Sequence, residues 1–291
     1  QWTRDGRYLV WLESRSGRGV LVSWDSETGN RRDLSRAISV KAGIGYGGGE
    51  LTAAENAVYF VSDSVIYSVN PGSGKPEPVF TAEGALASPA VSPDGRRMLL
   101  VQSCEEKDRL CLLDLENPES LHILDESREF YMQPIWHPGG DRIAWVSWDA
   151  PYMPWEKSDL HVAKLEGSRS APRIRPERVM DNECSHFQPE FSPDGSCLSF
   201  VSDRDGWSNL HVVDSDSGKT VARFREKYEH DLPAWTQGLR TYCWSPAGNR
   251  LFLLKHRSGI FQLCRLDPCS VAIEEILETC SFTAMRQICI N

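Results

Sequence analysis

The residue types that could carry out catalysis do not occur in a recognised catalytic spacing. A serine nucleophile exposed on a strand-to-helix turn needs Gly-x-Ser-x-Gly, which occurs nowhere in the 291 residues. Seven histidines are present. One of them, His137, occupies the turn position that Ser92 and Ser192 hold in similar stretches, which favours a structural role. We therefore predict no catalytic residue in this chain.

A glycine-rich stretch is the one candidate for binding a nucleotide. Residues 43–48 read Gly-Ile-Gly-Tyr-Gly-Gly and satisfy the spacing Gly-x-Gly-x-x-Gly. A dinucleotide site also needs a helix that begins at the third glycine, but residues 50–56 lead directly into the strand-like Val-Tyr-Phe-Val-Ser. The stretch instead indicates a close approach of two backbones or a β-bulge, and no cofactor is expected.

Three further patterns have only part of the spacing of a metal site. The sequence from Asp214 begins like a calcium loop, but its glycine comes at the fifth position and Glu226 at the thirteenth. We interpret it as a hairpin turn. The pair Cys264 and Cys269 and the pair Cys184 and His186 lack the second half of a zinc motif, so no metal is expected.

Charge and hydropathy exclude two classes of partner. Lys and Arg number 32 and Asp and Glu number 41, giving a net charge of −9, without a basic block that could bind nucleic acid. No apolar run reaches the roughly 18 residues of a membrane-spanning helix, and no targeting peptide is visible. The nine cysteines are spread out and odd in number, which favours reduced thiols in a cytoplasmic protein over disulfides in a secreted one.

The elements that must position any functional residue follow a repeat. A turn of the type Ser-Pro-Asp-Gly followed by an alternating apolar run begins at residues 3, 54, 92, 137, 192 and 245. Proline presets the backbone of such a turn and glycine takes its left-handed position. Each turn leads into a strand-turn-strand-turn-strand pattern. The sequence therefore predicts an all-β fold, a β-propeller of four-stranded blades, in preference to a β-sandwich.

The number of blades stays open at this stage. Six repeats are visible, and the last 22 residues could begin a seventh or return to complete the first. The first repeat begins at its turn, so its preceding strand is expected to be missing. Residues 270–279 fit a strand-turn-strand pattern as well as a helix, and residues 167–176 are expected to be a loop. We predict one propeller domain over residues 1–291, a probable fragment.

One stretch resembles a known family. Residues 147–165 contain Trp148, Asp149, Pro151, Met153, Pro154, Trp155 and Leu160. Their order and spacing resemble a motif in the propeller of prolyl-oligopeptidase-family serine peptidases, in the branch of dipeptidyl-aminopeptidases and acylaminoacyl-peptidases. Tyr46-Gly47-Gly48-Gly49, residues 187–210 and residues 232–244 also resemble that family, in order along the chain. The Ser-Pro-Asp-Gly turns alone are shared with TolB-like propellers.

The chain departs from the family pattern at two places. Gly45 stands where the family usually has a glutamate before Tyr-Gly-Gly-Gly. Residues 236–240, Thr-Gln-Gly-Leu-Arg, lack the usual Val-Phe-Gly core.

The resemblance implies that this chain has a non-catalytic role in a larger enzyme. In that family the propeller precedes a C-terminal α/β-hydrolase domain, caps its active site and limits substrates to short peptides. This implies a non-catalytic domain of a serine-type peptidase, with the hydrolase domain in cis and short peptides as partners. The alternatives are a stand-alone TolB-like module that binds protein or peptide, and a remnant of a lost enzyme. Candidate substrate-chamber or domain-interface residues are Tyr46, Gly47, Gly48, Gly49, Trp148, Asp149, Trp155, Trp235 and Tyr242, with Trp155 the favoured contact in a projecting loop.

Overall fold

The regular structure of the chain consists of β-strands joined by turns. A computed structural model describes residues 1–168, 170–178, 183–276 and 283–291. None of these residues belongs to a helix with the length and apolar character needed to cross a membrane. The all-β prediction is confirmed for the described part of the chain.

The first three sheets follow one another along the chain. Their strands are β1 (Tyr8–Arg15), β2 (Arg18–Asp25) and β3 (Arg31–Asp33); β4 (Lys41–Ala42), β5 (Leu51–Ala53), β6 (Val58–Asp63), β7 (Val65–Val69) and β8 (Glu77–Thr81); and β9 (Ala85–Val91), β10 (Arg97–Cys104), β11 (Lys107–Asp114) and β12 (Leu121–Asp125). In the second sheet β5 pairs antiparallel with β6, and β4 pairs parallel with the same strand.

The last three sheets have four strands each. They are β13 (Phe130–Trp136), β14 (Arg142–Trp148), β15 (Asp159–Ser168) and β16 (Ala171–Arg178); β17 (His186–Phe191), β18 (Cys197–Ser202), β19 (Asn209–Asp214) and β20 (Thr220–Arg223); and β21 (Tyr242–Trp244), β22 (Leu251–Arg257), β23 (Ile260–Asp267) and β24 (Ala272–Glu275). Within each of these three sheets, consecutive strands are neighbours. The six sheets, with three to five strands each, are the blades of a six-bladed β-propeller, so the predicted fold class is confirmed.

The predicted turns adopt the conformation that their residue types favour. Ser192 Oγ donates to Asp194 Oδ1 at 2.6 Å, and the Gly195 N–H donates to the Ser192 carbonyl at 2.8 Å. The Cys197 N–H then donates to Ser192 Oγ at 2.9 Å, which closes the turn into β18. Gly195 has φ +76°, a value that costs a glycine little. The sequence repeat thus reflects a hydrogen-bonded hairpin.

One expectation about the repeat needs correction. The described residues of 167–176 form no loop, because residues 167–168 end β15 and residues 171–176 begin β16. The first sheet has three strands, and ahead of β1 Trp2 makes an isolated bridge with Leu9. The open alternative of a partial seventh blade has no support in the described residues: β24 completes the sixth sheet, and residues 283–291 contain no strand.

The chain divides into two compact units by its internal contacts. The first unit comprises residues 1–134, 166–174 and 235–238, and the second comprises residues 135–165, 175–234 and 239–291. The segment 235–238 therefore belongs with the first three sheets although it lies late in the sequence. The expectation of one domain over residues 1–291 stays a prediction.

Each unit has its own apolar interior. In the first unit, side chains of the first two sheets and the connection between them form one cluster: Val10, Leu21, Leu34, Val40, Val58, Phe60 and Val69. In the second unit the largest fully buried side chains are Trp145, Phe200, Phe224 and Tyr242. The full burial of Trp145 agrees with the interpretation that the tryptophans of these strands mainly fill the space between sheets.

Candidate functional site

The sequence-predicted site residues fall into two groups, one in each unit. Tyr46, Gly47, Gly48, Gly49 and Trp235 lie together in the first unit, although almost 190 positions separate the loop from the tryptophan. Trp148, Asp149, Trp155 and Tyr242 lie in the second unit.

Tyr46 and Trp235 form an exposed aromatic pair. Their ring centroids are 5.5 Å apart and the ring planes are inclined by 79°, an edge-to-face contact. Tyr46 is 76% exposed and Trp235 is 51% exposed. Large aromatic rings are seldom left this open, and exposed aromatic side chains are the residues that protein and peptide interfaces use most. The pair is therefore the best candidate for a contact surface in the first unit.

Glycines bring the two halves of this site together. Gly48 and Gln237 form a parallel bridge, and the Gln237 N–H donates to the Gly47 carbonyl at 2.9 Å. A Cβ atom on Gly48 would lie 2.2 Å from the Gln237 carbonyl oxygen, and one on Gly49 would lie 2.7 Å from Ser88 Oγ. The close backbone approach predicted for this stretch is confirmed.

The side chain of Gln237 fixes the second half of the site. Ser88 Oγ donates to Gln237 Oε1 at 2.8 Å, and Gln237 Nε2 donates to the Tyr131 carbonyl at 2.8 Å. Gln237 is buried, as are Ser88 and Tyr131. One amide thus ties the segment that carries Trp235 to strands β9 and β13.

A carboxyl group lies directly behind the glycines. Glu50 Oε1 accepts a hydrogen bond from the Gly48 N–H at 3.1 Å. Burial raises the pKa of the Glu50 carboxyl, because the charged form is poorly solvated there, while hydrogen bonds from the Gly48 and Glu50 backbone act in the opposite direction. The Glu50 side chain therefore holds the backbone of Gly48 through this hydrogen bond.

The loop that follows β14 presents different residues from those expected. Tyr152 and Met153 are its exposed apolar side chains, with Lys157 Nζ 5.3 Å from the Tyr152 ring centroid. Trp148, Asp149 and Trp155 are only partly exposed. The favoured contact, Trp155, is thus less accessible than its neighbours in the same loop. Proline and methionine alone could not show which ring of this loop points outward.

Tyr242 is unsuited to a surface contact. Its side chain is fully buried, and its hydroxyl donates to the Gln188 carbonyl. Burial raises the pKa of its phenol, so the ring is neutral. We correct the assignment of Tyr242 as a chamber or interface residue: all three residues of β21 are buried, and the Tyr242 side chain lies in the core of the second unit.

Three residues that precede a proline occupy equivalent positions in their sheets, and they were not among the predicted site residues. Ser88, Gln133 and Gln188 each precede a proline in the first strand of a sheet, and their φ angles are +53°, +52° and +47°. Such a conformation is unusual for residues other than glycine and bends the strand. Gln188 uses it to accept from the Thr241 N–H at 2.6 Å and to donate to the Tyr242 carbonyl at 2.7 Å. The feature of the sequence that could have identified these residues is the recurrent dipeptide x-Pro in the first strand of a repeat.

The incomplete metal motifs have structural roles. The Gly218 N–H donates to the Asp214 carbonyl at 2.9 Å, and Asp214 Oδ1 accepts from the Ser217 N–H at 2.8 Å, so this stretch is the predicted hairpin turn. Cys264 is buried in β23 and Cys269 is exposed. In the described ranges, no three His, Cys, Asp or Glu side chains are grouped as metal ligands.

Comparisons with known proteins identify the fold. No family model matches the chain. A curated protein, Protein TolB homolog of Chlorobium luteolum (strain DSM 273 / BCRC 81028 / 2530), is 25% identical over 155 residues, which are 53% of this chain and 32% of that protein. A crystal structure of a puromycin hydrolase has a TM-score of 0.79 and 24% identity over 93% of this chain and 45% of its own.

Two further structures extend this picture. A puromycin-hydrolyzing peptidase of Mycobacterium tuberculosis has a TM-score of 0.78 and 24% identity over 93% of this chain and 45% of its own. A putative TolB of Agrobacterium tumefaciens has a TM-score of 0.61 and 15% identity over 89% of this chain and 88% of its own.

These likenesses establish a TolB-like β-propeller. The match to puromycin hydrolase, a prolyl-oligopeptidase-family peptidase, falls on its N-terminal propeller part, so the predicted resemblance is confirmed at the level of the fold. The chain spans less than half of those peptidases and about a third of the curated relative.

Proposed function

We propose that this chain is the non-catalytic propeller of a prolyl-oligopeptidase-family serine peptidase. In this role it caps the active site of an α/β-hydrolase domain that follows in the same polypeptide and limits substrates to short peptides. The chain contributes no nucleophile, because Gly-x-Ser-x-Gly is absent from its sequence. Its contribution is shape and contact surface.

One observation carries the proposal. The chain aligns over 93% of its length with 45% of a puromycin hydrolase chain, which supports its assignment to the propeller part of a longer peptidase. The motif from Trp148 to Leu160, which resembles the same family, supports the assignment independently of the turns that all TolB-like propellers share. A fold alone does not determine a function, and the motif favours the peptidase propeller over the TolB-like binding module.

The exposed aromatic pair supplies the contact surface in this proposal. Tyr46 and Trp235 face solvent on a loop that is held rigidly by Gly48 and Gln237. A rigid, exposed aromatic surface binds at low entropic cost, because few side-chain rotations remain to be lost. We assign the pair to the surface that meets the hydrolase domain or a bound peptide, and Tyr152 and Met153 to a second such surface.

The proposal is tested first by the intact mass of the endogenous product. Top-down mass spectrometry is expected to find a polypeptide about twice as long as this chain, with a Gly-x-Ser-x-Gly peptide in the additional part. A product that ends at Asn291 would overturn the peptidase assignment. It would favour the TolB-like binding module, for which the 25% identity to a TolB homolog is the specific support.

A kinetic experiment then tests the role of the aromatic pair. In the full-length product, Tyr46→Ala and Trp235→Ala are expected to change the relative rates on a dipeptide amide and on an unfolded protein substrate. Ile260→Ala removes an apolar side chain of similar exposure (49%) from the other unit, outside both proposed surfaces, and is the matched comparison. If all three variants and the parent had the same ratio of rates on the two substrates, Tyr46 and Trp235 would not belong to a surface that selects substrates.

The cellular location forms part of the same proposal. The eight cysteines within the described residues are free thiols, and Cys280 lies outside those residues. Buried reduced thiols such as Cys111 and Cys264 fit a cytoplasmic protein. Fractionation with thiol labelling before lysis tests this, and disulfides in the endogenous product would contradict it.

A further inference from the structure

We infer that Gln237 is a positioning residue that holds Tyr46 and Trp235 in their exposed edge-to-face arrangement. The use of this pair as a contact surface rests on the proposed function, whereas the positioning itself concerns the geometry of the chain. The buried side-chain amide of Gln237 determines where the Trp235 ring lies.

The two rings do not explain their own arrangement. Both are largely exposed, at 76% and 51%, so solvent competes for contact with each ring. Tyr46 lies between Gly45 and Gly47, which have φ values of +53° and +84°, and such a backbone is flexible unless it is bound elsewhere. Atoms that anchor the two backbones therefore contribute to the arrangement.

Gln237 supplies that restraint with four groups. Its backbone N–H binds the Gly47 carbonyl at 2.9 Å, and its backbone forms the bridge to Gly48. Its side-chain oxygen accepts from Ser88 Oγ, and its side-chain nitrogen donates to the Tyr131 carbonyl, both at 2.8 Å. Trp235 is two residues away, so these contacts fix the backbone that carries the indole ring.

The two groups that surround the Gln237 side chain require a partner with both an acceptor and a donor, as an amide has. Ser88 Oγ acts as a donor, and the Tyr131 carbonyl can only accept, so the partner must both accept and donate at one side-chain end. An apolar residue would leave two buried polar groups unpaired, which is costly. Gln237 lies in the stretch where the resembled family pattern has Val-Phe-Gly. A phenylalanine side chain there could satisfy neither group.

The experiment uses the full chain labelled with 5-fluorotryptophan. The Trp235→Phe variant assigns the ¹⁹F resonance of Trp235, whose position depends on the neighbouring Tyr46 ring. Gln237→Met keeps the length of the side chain and removes both side-chain hydrogen bonds. We expect the Trp235 resonance to move toward that of the unfolded chain, and amide hydrogen exchange in residues 46–50 and 235–238 to accelerate at least tenfold.

Gln188→Met is the matched control. Gln188 is also buried, and its amide also joins two segments, accepting from Thr241 and donating to Tyr242, but it lies in the other unit. We expect a comparable loss of thermal stability with an unchanged Trp235 resonance. If Gln188→Met moved the resonance as far as Gln237→Met, the effect would be general loosening and the inference would fail.

Gln237→Glu adds a readout that a purely structural role would not give. A protonated glutamate can donate to the Tyr131 carbonyl and accept from Ser88, whereas the ionised form cannot donate. The Trp235 resonance is therefore expected at its parent position in mildly acidic buffer and displaced in alkaline buffer. A pH-independent resonance in this variant, or an unmoved one in Gln237→Met, would overturn the inference. These measurements need no hydrolase domain, so their outcome is separate from that of the proposed function.

Discussion

The backbone of Gln237 lies so close to Gly48 that position 48 has no room for a side chain. A Cβ atom there would be 2.2 Å from the Gln237 carbonyl oxygen and 2.9 Å from the Gln237 nitrogen, distances that real Cβ atoms do not reach. Gly47, one residue earlier, has a similar φ of +84° but only the Ala42 carbonyl oxygen nearby, at 3.6 Å. Position 47 thus favours glycine for its backbone conformation alone, whereas position 48 requires glycine both for its conformation and for the close approach of Gln237.

We therefore predict different effects for Gly47→Ala and Gly48→Ala. Both variants place alanine in the left-handed region, which costs about 1 kcal/mol. Gly48→Ala must also push residues 236–238 away, and its total cost is expected to reach about 3 kcal/mol or more. Urea unfolding of the two variants beside the parent chain measures the difference. Equal losses of stability would show that the segment moves aside freely.

The turns made most of the fold predictable from sequence. Ser192, Asp194 and Gly195 bond within a few residues of one another, so their types alone specify the hairpin. The same holds at Ser92 and Asp94. The pairing of residues 1–3 with β1 could not be predicted, because Gln1 meets its partner Val10 only through the chain reversal that follows and three residues show no periodicity.

The candidate site was predictable only in part. The glycines and Tyr46 stood out by residue type, and Trp235 by its place in a family-like segment. Gln237 did not stand out, since its partners Ser88 and Tyr131 are 149 and 106 residues away. Tyr242 was misassigned because a tyrosine in a short strand can face either side, and only its burial beside Gln188 decides this.

His211 is predicted to make the chain less stable in mild acid. Its ring stacks on Phe200 with centroids 5.5 Å apart, and its Nε2 is buried without a hydrogen-bond partner in the described structure. Burial lowers the pKa of His211 from 6.5 to about 4, and the positive charge of Arg223 acts in the same direction. The imidazole is therefore neutral in the folded chain.

The sign of the pH effect follows from proton binding. Between pH 6.5 and about 4 the unfolded chain binds a proton at His211 and the folded chain does not, so stability falls as the pH falls. The loss approaches about 3 kcal/mol at the acid end. His211→Phe should flatten this part of the pH–stability curve, while His122→Phe, at a half-exposed position, should not. An unchanged slope in His211→Phe would contradict the prediction.

Val271 is predicted to be a weak point that glycine would repair. It has φ +55°, which is unfavourable for a β-branched residue. It closes the turn after Asp267, whose Oδ1 accepts from the Ser270 N–H at 3.4 Å, as Asp214 Oδ1 accepts from the Ser217 N–H at 2.8 Å. The corresponding residue in the Asp214 turn is Gly218, with φ +67°.

Val271→Gly is thus expected to raise the free energy of unfolding by about 1 kcal/mol. Val221→Gly serves as the comparison, because Val221 is similarly exposed, at 47% against 43%, but lies within strand β20. Glycine in a strand should cost stability there. The prediction fails if both variants change the melting temperature in the same direction.

Removing β24 is predicted to destabilise the sixth sheet. β24 is its last strand, and it pairs only with β23, placing Ile273 opposite Leu266 and Glu275 opposite Cys264. Leu266 and Cys264 are fully buried, whereas the side chains of β24 are mostly exposed. The strand therefore contributes chiefly backbone hydrogen bonds and cover for β23.

A chain that ends at Ser270 should lose about 2 to 4 kcal/mol, the value of several backbone hydrogen bonds together with the cost of an open edge. A chain that ends at Ile276 keeps β24 and loses the described contact from the Gln287 N–H to the Arg240 carbonyl, so its loss should be smaller. Thermal unfolding of both truncations separates the strand from the tail. If the two melted together, the segment beyond Ile276 would be the stabilising element; if the chain ending at Ser270 melted like the full chain, β24 would not close the sheet.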